Sequence, residues 1–311
     1  MVILPASRRN AWVDGEYGKL VSEAMVARAV RRSMAAILVT AGAMAAVSCA
    51  DTDDRPVVAV GAGSSTESVV LAEIYAQALA RTGTRTSVVT GLTEPLAALD
   101  AGRVAVLGAR NGELLDRWNP TSPAREPAAV AAAVNAALPA GLSVSDAADG
   151  TDLRPRVVRP ESAVAADGIR TVTALAPACA TLTLGAVTQT SDDDPSAQLV
   201  SDCAPATVHP YPDLAALRTD LLNNTIQAGL TDGPGGDLTG LTTLADPGYA
   251  IRAQNILALY RGGIFDRQQV KKLNYVAGEL TTDDLLALIA EVDTGTAPAT
   301  AARHWLDAHA L

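Results

Sequence analysis

Aromatic side chains are scarce in this chain: three Trp, six Tyr and the single Phe265 among 311 residues. A box of rings around a cation needs several of them close together, so few stretches can supply one. The core must come from Ala, Val, Leu and Ile. At 49% hydrophobic residues there is enough for one or two domains of roughly 100–150 residues each. Histidine and cysteine are equally sparse, three of each, and His209, His304 and His309 show no metal-ligand spacing with Cys49, Cys179 and Cys203. There is no G-x-S-x-G elbow, and carboxylates such as Asp192 to Asp194 and Asp283 to Asp284 sit in surface or capping contexts. The sequence therefore predicts no enzyme, no metal and no cofactor. Positive charge is also short. The net charge is −10, and the first 49 residues hold six basic side chains against three acidic ones, which leaves the remainder at −13. Without clustered Lys and Arg a nucleic-acid partner is not expected.

What is present begins with an address. Residues 1–24 carry no motif and read as a non-structural upstream segment. Residues 25–48 place Arg28, Arg31 and Arg32 before an apolar run from Met34 to Val47, too short to span a bilayer at the roughly 20 residues needed. That is the pattern of a secretory signal. Its end, "AVSC", resembles a bacterial lipobox, which implies lipidation of Cys49 and anchoring at the outer face of the cytoplasmic membrane; simple cleavage and a buried structural thiol are the alternatives. Residues 50–56 are a polar tether. In an oxidising compartment Cys179 and Cys203 read as a disulfide, whose loop of about 24 residues would stabilise by roughly 3 kcal/mol.

Beyond the tether, strand and helix alternate. Strands are predicted at 57–60, 84–90 and 104–108, helices from Ser64 onward and over 94–102, 112–118 and 125–138. A second unit follows, with a strand at 156–159, a short helix at 161–166, a strand at 181–187 and a helix at 213–223. The tail returns to the first pattern, with a strand over 249–261 and helices over 266–280, from Thr281 or Thr282, and at the C-terminus. The α/β alternation implies a parallel sheet with right-handed crossovers.

The turn "GAGSSTES" at 61–68 raises the question of a phosphate cradle. A dinucleotide fingerprint needs a small residue where Thr66 stands and an acid where Thr90 closes the second strand, and it has neither. Ser64 with Glu67 reads as a capping box, which leaves Ser65 and Thr66 available to a ligand.

"VVAVGAGSSTESVVLAEIYAQALARTG" resembles the opening of the substrate-binding proteins of osmoprotectant ABC importers, the glycine betaine, choline and carnitine binders of the OpuAC type. "QAGLTDG" (227–233), "LTTDDLLALIAEVD" and "AARHWLDAHAL" resemble their return strand and C-terminal helices. The resemblance implies a two-lobed, hinged fold of the type II periplasmic-binding-protein kind, α/β in class. Lobe I would comprise 57–152 plus 232–311 and lobe II 153–231, with a solute in the cleft and an ABC permease as partner.

The departures fall on the ligand site. Where the family carries "YPEYTGT" this chain has "VLGARNGELL" (106–115), with Arg110 and Asn111 in place of rings; Ser68 replaces the Gln of "TEQ"; and "RPRVVRP" replaces a strand that often carries a Tyr. The candidate ligand contacts are Ser65, Thr66, Arg110, Asn111, Tyr211, Thr231, Asp232 and Tyr249, with Trp118 read as a core anchor. An Arg110 facing the cleft would favour a polar or anionic ligand over a quaternary ammonium. The alternative to transport is a binding-protein fold reused as an envelope accessory lipoprotein.

Overall fold

A computed structural model describes residues 56–188 and 205–311. Residues 1–55, on which the expected signal peptide, Cys49 and nearly all of the expected tether fall, and Cys203 and the acidic run 192–194 lie outside the described residues.

Among the described residues, which belong to one compact unit, the organising elements are two five-stranded mixed sheets. The first contains β1 (Val58–Gly61), β2 (Thr86–Val89), β3 (Val106–Arg110), β4 (Leu142–Val144) and β10 (Ile256–Arg261) in the order β2-β1-β3-β10-β4. The second contains β5 (Val157–Pro160), β6 (Thr183–Val187), β7 (Thr207–Tyr211), β8 (Ala228–Leu230) and β9 (Leu241–Thr243) in the order β7-β6-β8-β5-β9. Each sheet has four strands that run in one direction, and each receives one antiparallel strand directly after the chain has crossed from the other lobe: β10 between β3 and β4, β5 between β8 and β9. The parallel sheet expected from the βαβ alternation is thus mixed, because those two strands enter from the opposite end.

Strand β10 shows why the central strands read as unbroken apolar runs. Ile256, Ala258 and Tyr260 join one core cluster, while Leu257 and Leu259 join the cluster on the opposite face. Both faces are covered by helices, so the two-residue alternation buries every side chain. One face packs on α1 (Thr66–Ala80), α8 (Arg267–Glu279), α9 (Thr282–Asp293) and α10 (Pro298–Ala308); the other packs on α2 (Pro95–Asp100) and α3 (Asn111–Trp118). Helix α4 (Pro127–Ala137) packs outside α3, with Trp118 among their shared apolar contacts.

In the second lobe Val157 and Val158 divide in the same way. Val157 packs with α5 (Glu161–Asp167), the short α6 (Val172–Leu175) and the 3₁₀ turn Ala176–Thr181; Val158 packs with α7 (Leu214–Leu222). Cys179 is buried in the first of these clusters.

Two boundaries differ from the sequence reading. The strand predicted over 249–261 begins only at Ile256, and the preceding residues form the crossing segment. The second sheet extends past the expected return at 232, because β9 pairs with β5 and Leu244 and Ile251 lie in the second-lobe core. The chain therefore crosses near 151–156 and 246–255, and the two crossings run side by side, with the Leu153 N–H donating to the Gln254 carbonyl at 2.9 Å.

Candidate functional site

The cleft starts from the β1–α1 turn. Ser65 is extended (φ −73°, ψ 146°), its hydroxyl accepts the Ser68 N–H at 3.2 Å, and the Ser68 hydroxyl donates to the Ser65 carbonyl at 2.9 Å. The cap is therefore one residue later than the predicted Ser64–Glu67 box, because the helix begins at Thr66. That shift frees Glu67 from capping. Its carboxylate takes the guanidinium of Arg110, at the end of β3, in a two-point bond: Nε to Oε1 at 3.0 Å and Nη2 to Oε2 at 2.5 Å. Arg110 Nη1 also donates to the Asp232 carbonyl of the second lobe at 3.1 Å and lies 3.6 Å from Glu113. Burial would lower the Arg110 pKa, but the bond to Glu67 and its charge more than offset that and raise it. Thr66 donates from its hydroxyl to Asp293 at the end of α9, at 2.8 Å.

Ser65, Thr66, Glu67, Arg110, Asp232 and Asp293 line a cavity of about 400 Å³. It shares Ser65, Ser68 and Gly108 with a cavity of about 320 Å³ over the Gly61–Ser64 turn, and Asp232 with another of about 320 Å³ bounded by Thr188 and Asp213 of the second lobe. No aromatic residue lines any of the three. Four carboxylates, Glu67, Glu113, Asp232 and Asp293, face the first cavity against one guanidinium.

The structure thus brings together four of the eight candidates, Ser65, Thr66, Arg110 and Asp232, and places the others elsewhere. Asn111 is fully buried: its N–H donates to the Asn255 carbonyl at 2.9 Å and its Oδ1 accepts the Asn255 N–H at 2.8 Å, which pins the end of β3 to the second crossing. Thr231 is buried and spent on the backbone, accepting the Arg156 N–H at 2.9 Å and donating to the Gly233 carbonyl at 2.6 Å. Tyr211 ends β7 and donates its hydroxyl to Asp220 on α7 at 2.6 Å; partial burial and that carboxylate push its phenol up to about 12. Tyr249 lies at the hinge, its ring 4.2 Å from the Arg154 guanidinium. Asn111 Oδ1, the Thr231 hydroxyl and the Tyr211 hydroxyl are thus spent on protein groups, whereas Asn111 Nδ2 is buried without a hydrogen-bond partner among the described residues. Glu67, Glu113 and Asp293 were missed. Glu67 was absorbed into a capping reading, Glu113 lies in the first turn of the helix that follows Arg110, and Asp293 ends a helix far away in sequence.

Arg154 joins the two crossings. It makes a two-point bond to Asp152, Nε to Oδ1 at 2.8 Å and Nη2 to Oδ2 at 2.9 Å, and reaches Asp246 Oδ2 at 3.2 Å. Asp246 in turn accepts the N–H groups of Ala250 at 2.8 Å and Ile251 at 3.0 Å. Burial would raise the Asp152 pKa, but the bonds from Arg154 and Arg156 outweigh it and hold the carboxyl at about 2.

No family model and no curated protein matches the sequence. Solved structures do. The chain is similar to a glycine betaine/carnitine/choline ABC transporter structure at 18% identity and TM-score 0.62, covering 81% of this chain and 98% of that one. It is similar to apo YehZ from Escherichia coli at 16% identity and TM-score 0.56, covering 80% and 97%. It is also similar to an ABC-transporter choline-binding protein in complex with choline at 13% identity and TM-score 0.52, covering 80% and 87%. The likeness is one of fold: two α/β lobes joined by two crossings around a cleft.

Proposed function

We propose that this chain is the solute-binding component of an ABC importer of the osmoprotectant class, a binding protein and not an enzyme. The observation that carries the reading is the cleft itself, enclosed by two lobes of one plan that meet through two adjacent crossings, an arrangement suited to closing around a solute by hinge motion. The sequence motifs at 57–83 and in the C-terminal helices support it, as do solved neighbours of the same fold.

The ligand class follows from charge. Arg110 is already neutralised by Glu67, so it offers no open guanidinium to an anion, and the surplus of carboxylates favours a solute with a cationic centre. With no ring on the walls, N–H donors reaching carboxylates suit this cleft better than a cation–π cage. We therefore place small organic cations and zwitterions, the quaternary ammonium among them, ahead of the polar or anionic ligand that an open, cleft-facing Arg110 would favour. Melting curves of residues 50–311 with betaine, choline, carnitine, proline, amino acids, diamines, sugars and anionic metabolites test this. A cognate solute at a hundredfold excess over its Kd adds about 2.7 kcal/mol, or about 5–10 °C in a chain of this size. Stabilisation only by an anion or a sugar overturns the ligand class. Silence across the panel favours the accessory-lipoprotein reading, which the protein-occupied state of Arg110 and Glu67 supports.

The proposal includes lipid anchoring through Cys49 at the outer face of the cytoplasmic membrane, an ABC permease as partner, and a bridge from buried Cys179 to Cys203. Intact mass spectrometry of protein isolated from membranes checks both modifications. The expected species begins at Cys49, carries a diacylglyceryl adduct and gains two protons on reduction. A chain without the adduct, or with two free thiols before reduction, removes the corresponding claim.

A further inference from the structure

We propose that Arg110 is a built-in cation, a side chain that occupies the cation position of the cleft and latches the lobes, so that a free solute enters only by displacing it. The inference rests on reading the cleft as a solute site, but its test is separate.

The guanidinium is bound as a ligand would be. One edge takes both oxygens of Glu67 in the first lobe, and Nη1 takes the Asp232 carbonyl in the second. Only about a fifth of each of the two paired side chains, Arg110 and Glu67, is exposed. The contact spans the two lobes within the largest of the three cavities, at the mouth of α1, where Ser65, Thr66 and Asp293 complete the wall. An ion pair confined to one lobe would leave the lobes free to part; the carbonyl bond does not. A cation arriving from solution must separate Arg110 from Glu67, and in doing so it also loosens Arg110 from Asp232. Binding and release of the latch are therefore one event, and the natural solute has to bring contacts to both lobes that a bare guanidinium lacks.

Removing an arginine should, on this view, create a cation site. The experiment uses the full chain in detergent, with melting followed by tryptophan fluorescence and methylguanidinium chloride as the probe, against sodium chloride at equal ionic strength and against urea. Arg110→Ala should melt below the wild type, and methylguanidinium should raise its Tm by about 2–4 °C over the salt control. The wild type should show no such rise, because its site is filled. Adding Glu67→Gln to Arg110→Ala should abolish the rise. Small-angle scattering should show a larger radius of gyration for Arg110→Ala, reversed by the probe. If Arg110→Ala fails to fold, Arg110→Met, which keeps the apolar stem but has neither the charge nor a donor for the Asp232 carbonyl, takes its place with the same expectations. An equal response in wild type and variant, or none in the variant, overturns the latch. A silent solute panel together with a positive rescue leaves the latch standing and removes the transport reading.

Discussion

Replacing Arg154 with methionine should cost about 3 kcal/mol of stability, at the lower end of the range for breaking one side of a buried ion pair. In a domain of this size that corresponds to a Tm lower by about 6–12 °C. Arg154 and Asp246 are each only 10% exposed, so Asp246 would keep its two backbone donors and lose its counter-charge in a poorly solvated place. Tyr249, held in the left-handed region at φ 50°, would lose the cation over its ring. Asp152 is 41% exposed and still has Arg156, which keeps the loss from being larger. Arg154→Lys, with charge but no planar fork, should fall between the two. The pH dependence has a definite sign. Because the folded pKa of Asp152 is depressed to about 2, its contribution is fully present above the unfolded value of about 3.9 and is lost as pH falls from about 4 to about 2. That limb of the stability curve should flatten in Arg154→Met. Denaturant melts at pH 7 and thermal melts between pH 2 and 5 measure both effects; a variant within about 1 °C of wild type would mean the hinge does not depend on this network.

Gly112→Ala should be nearly as damaging, although it adds one methyl to a helix. A Cβ there would lie 2.4 Å from the Ala253 carbonyl oxygen and 2.6 Å from the Gln254 side chain. The carbonyl belongs to the second crossing, which cannot retreat freely. The Ala253 N–H donates to Arg125, the Gln254 carbonyl receives the Leu153 N–H, and Gln254 Oε1 accepts the Glu113 N–H. We expect a loss of about 2–3 kcal/mol, after the roughly 1 kcal/mol that Ala gains over Gly in a helix. Gly278→Ala in α8 is the matched control: nothing lies within 4 Å of its Cβ, so the propensity gain of about 0.5–1 kcal/mol should appear with the opposite sign. Urea denaturation of both variants decides the matter, and equal effects would show that the contact at Gly112 is not limiting.

Much of the framework was legible because it rests on local signals. Asp266 and Thr281 cap their helices with full capping boxes, and the apolar runs at β1, β3 and β10 announce strands covered on both faces. The three-residue strands β4 and β9 were not legible. They are too short for periodicity to register, and β9 sits among Gly, Pro and Thr that otherwise read as loop. The same holds for 249–255, where apolar and polar residues alternate as in a strand but serve a crossing. The site was half legible. Ser65, Thr66, Arg110 and Asp232 follow from strand and helix ends, where an α/β fold puts its ligands. Whether a polar side chain at such an end faces the cleft or satisfies the backbone depends on partners far away in sequence. Asn111 depends on Asn255 and Thr231 on Arg156, and neither pairing leaves a trace in the local pattern.

The antiparallel strand that each sheet receives after a crossing also fixes an order of assembly. A chain emerging from its N-terminus has every strand of the second sheet once Thr243 has appeared, but it completes the first only with Ile256–Arg261. Until then β3 is an open edge and β4 has no neighbour in the sheet, because both pair with β10. The lobe begun first is finished last, and the other is a self-contained insertion within it.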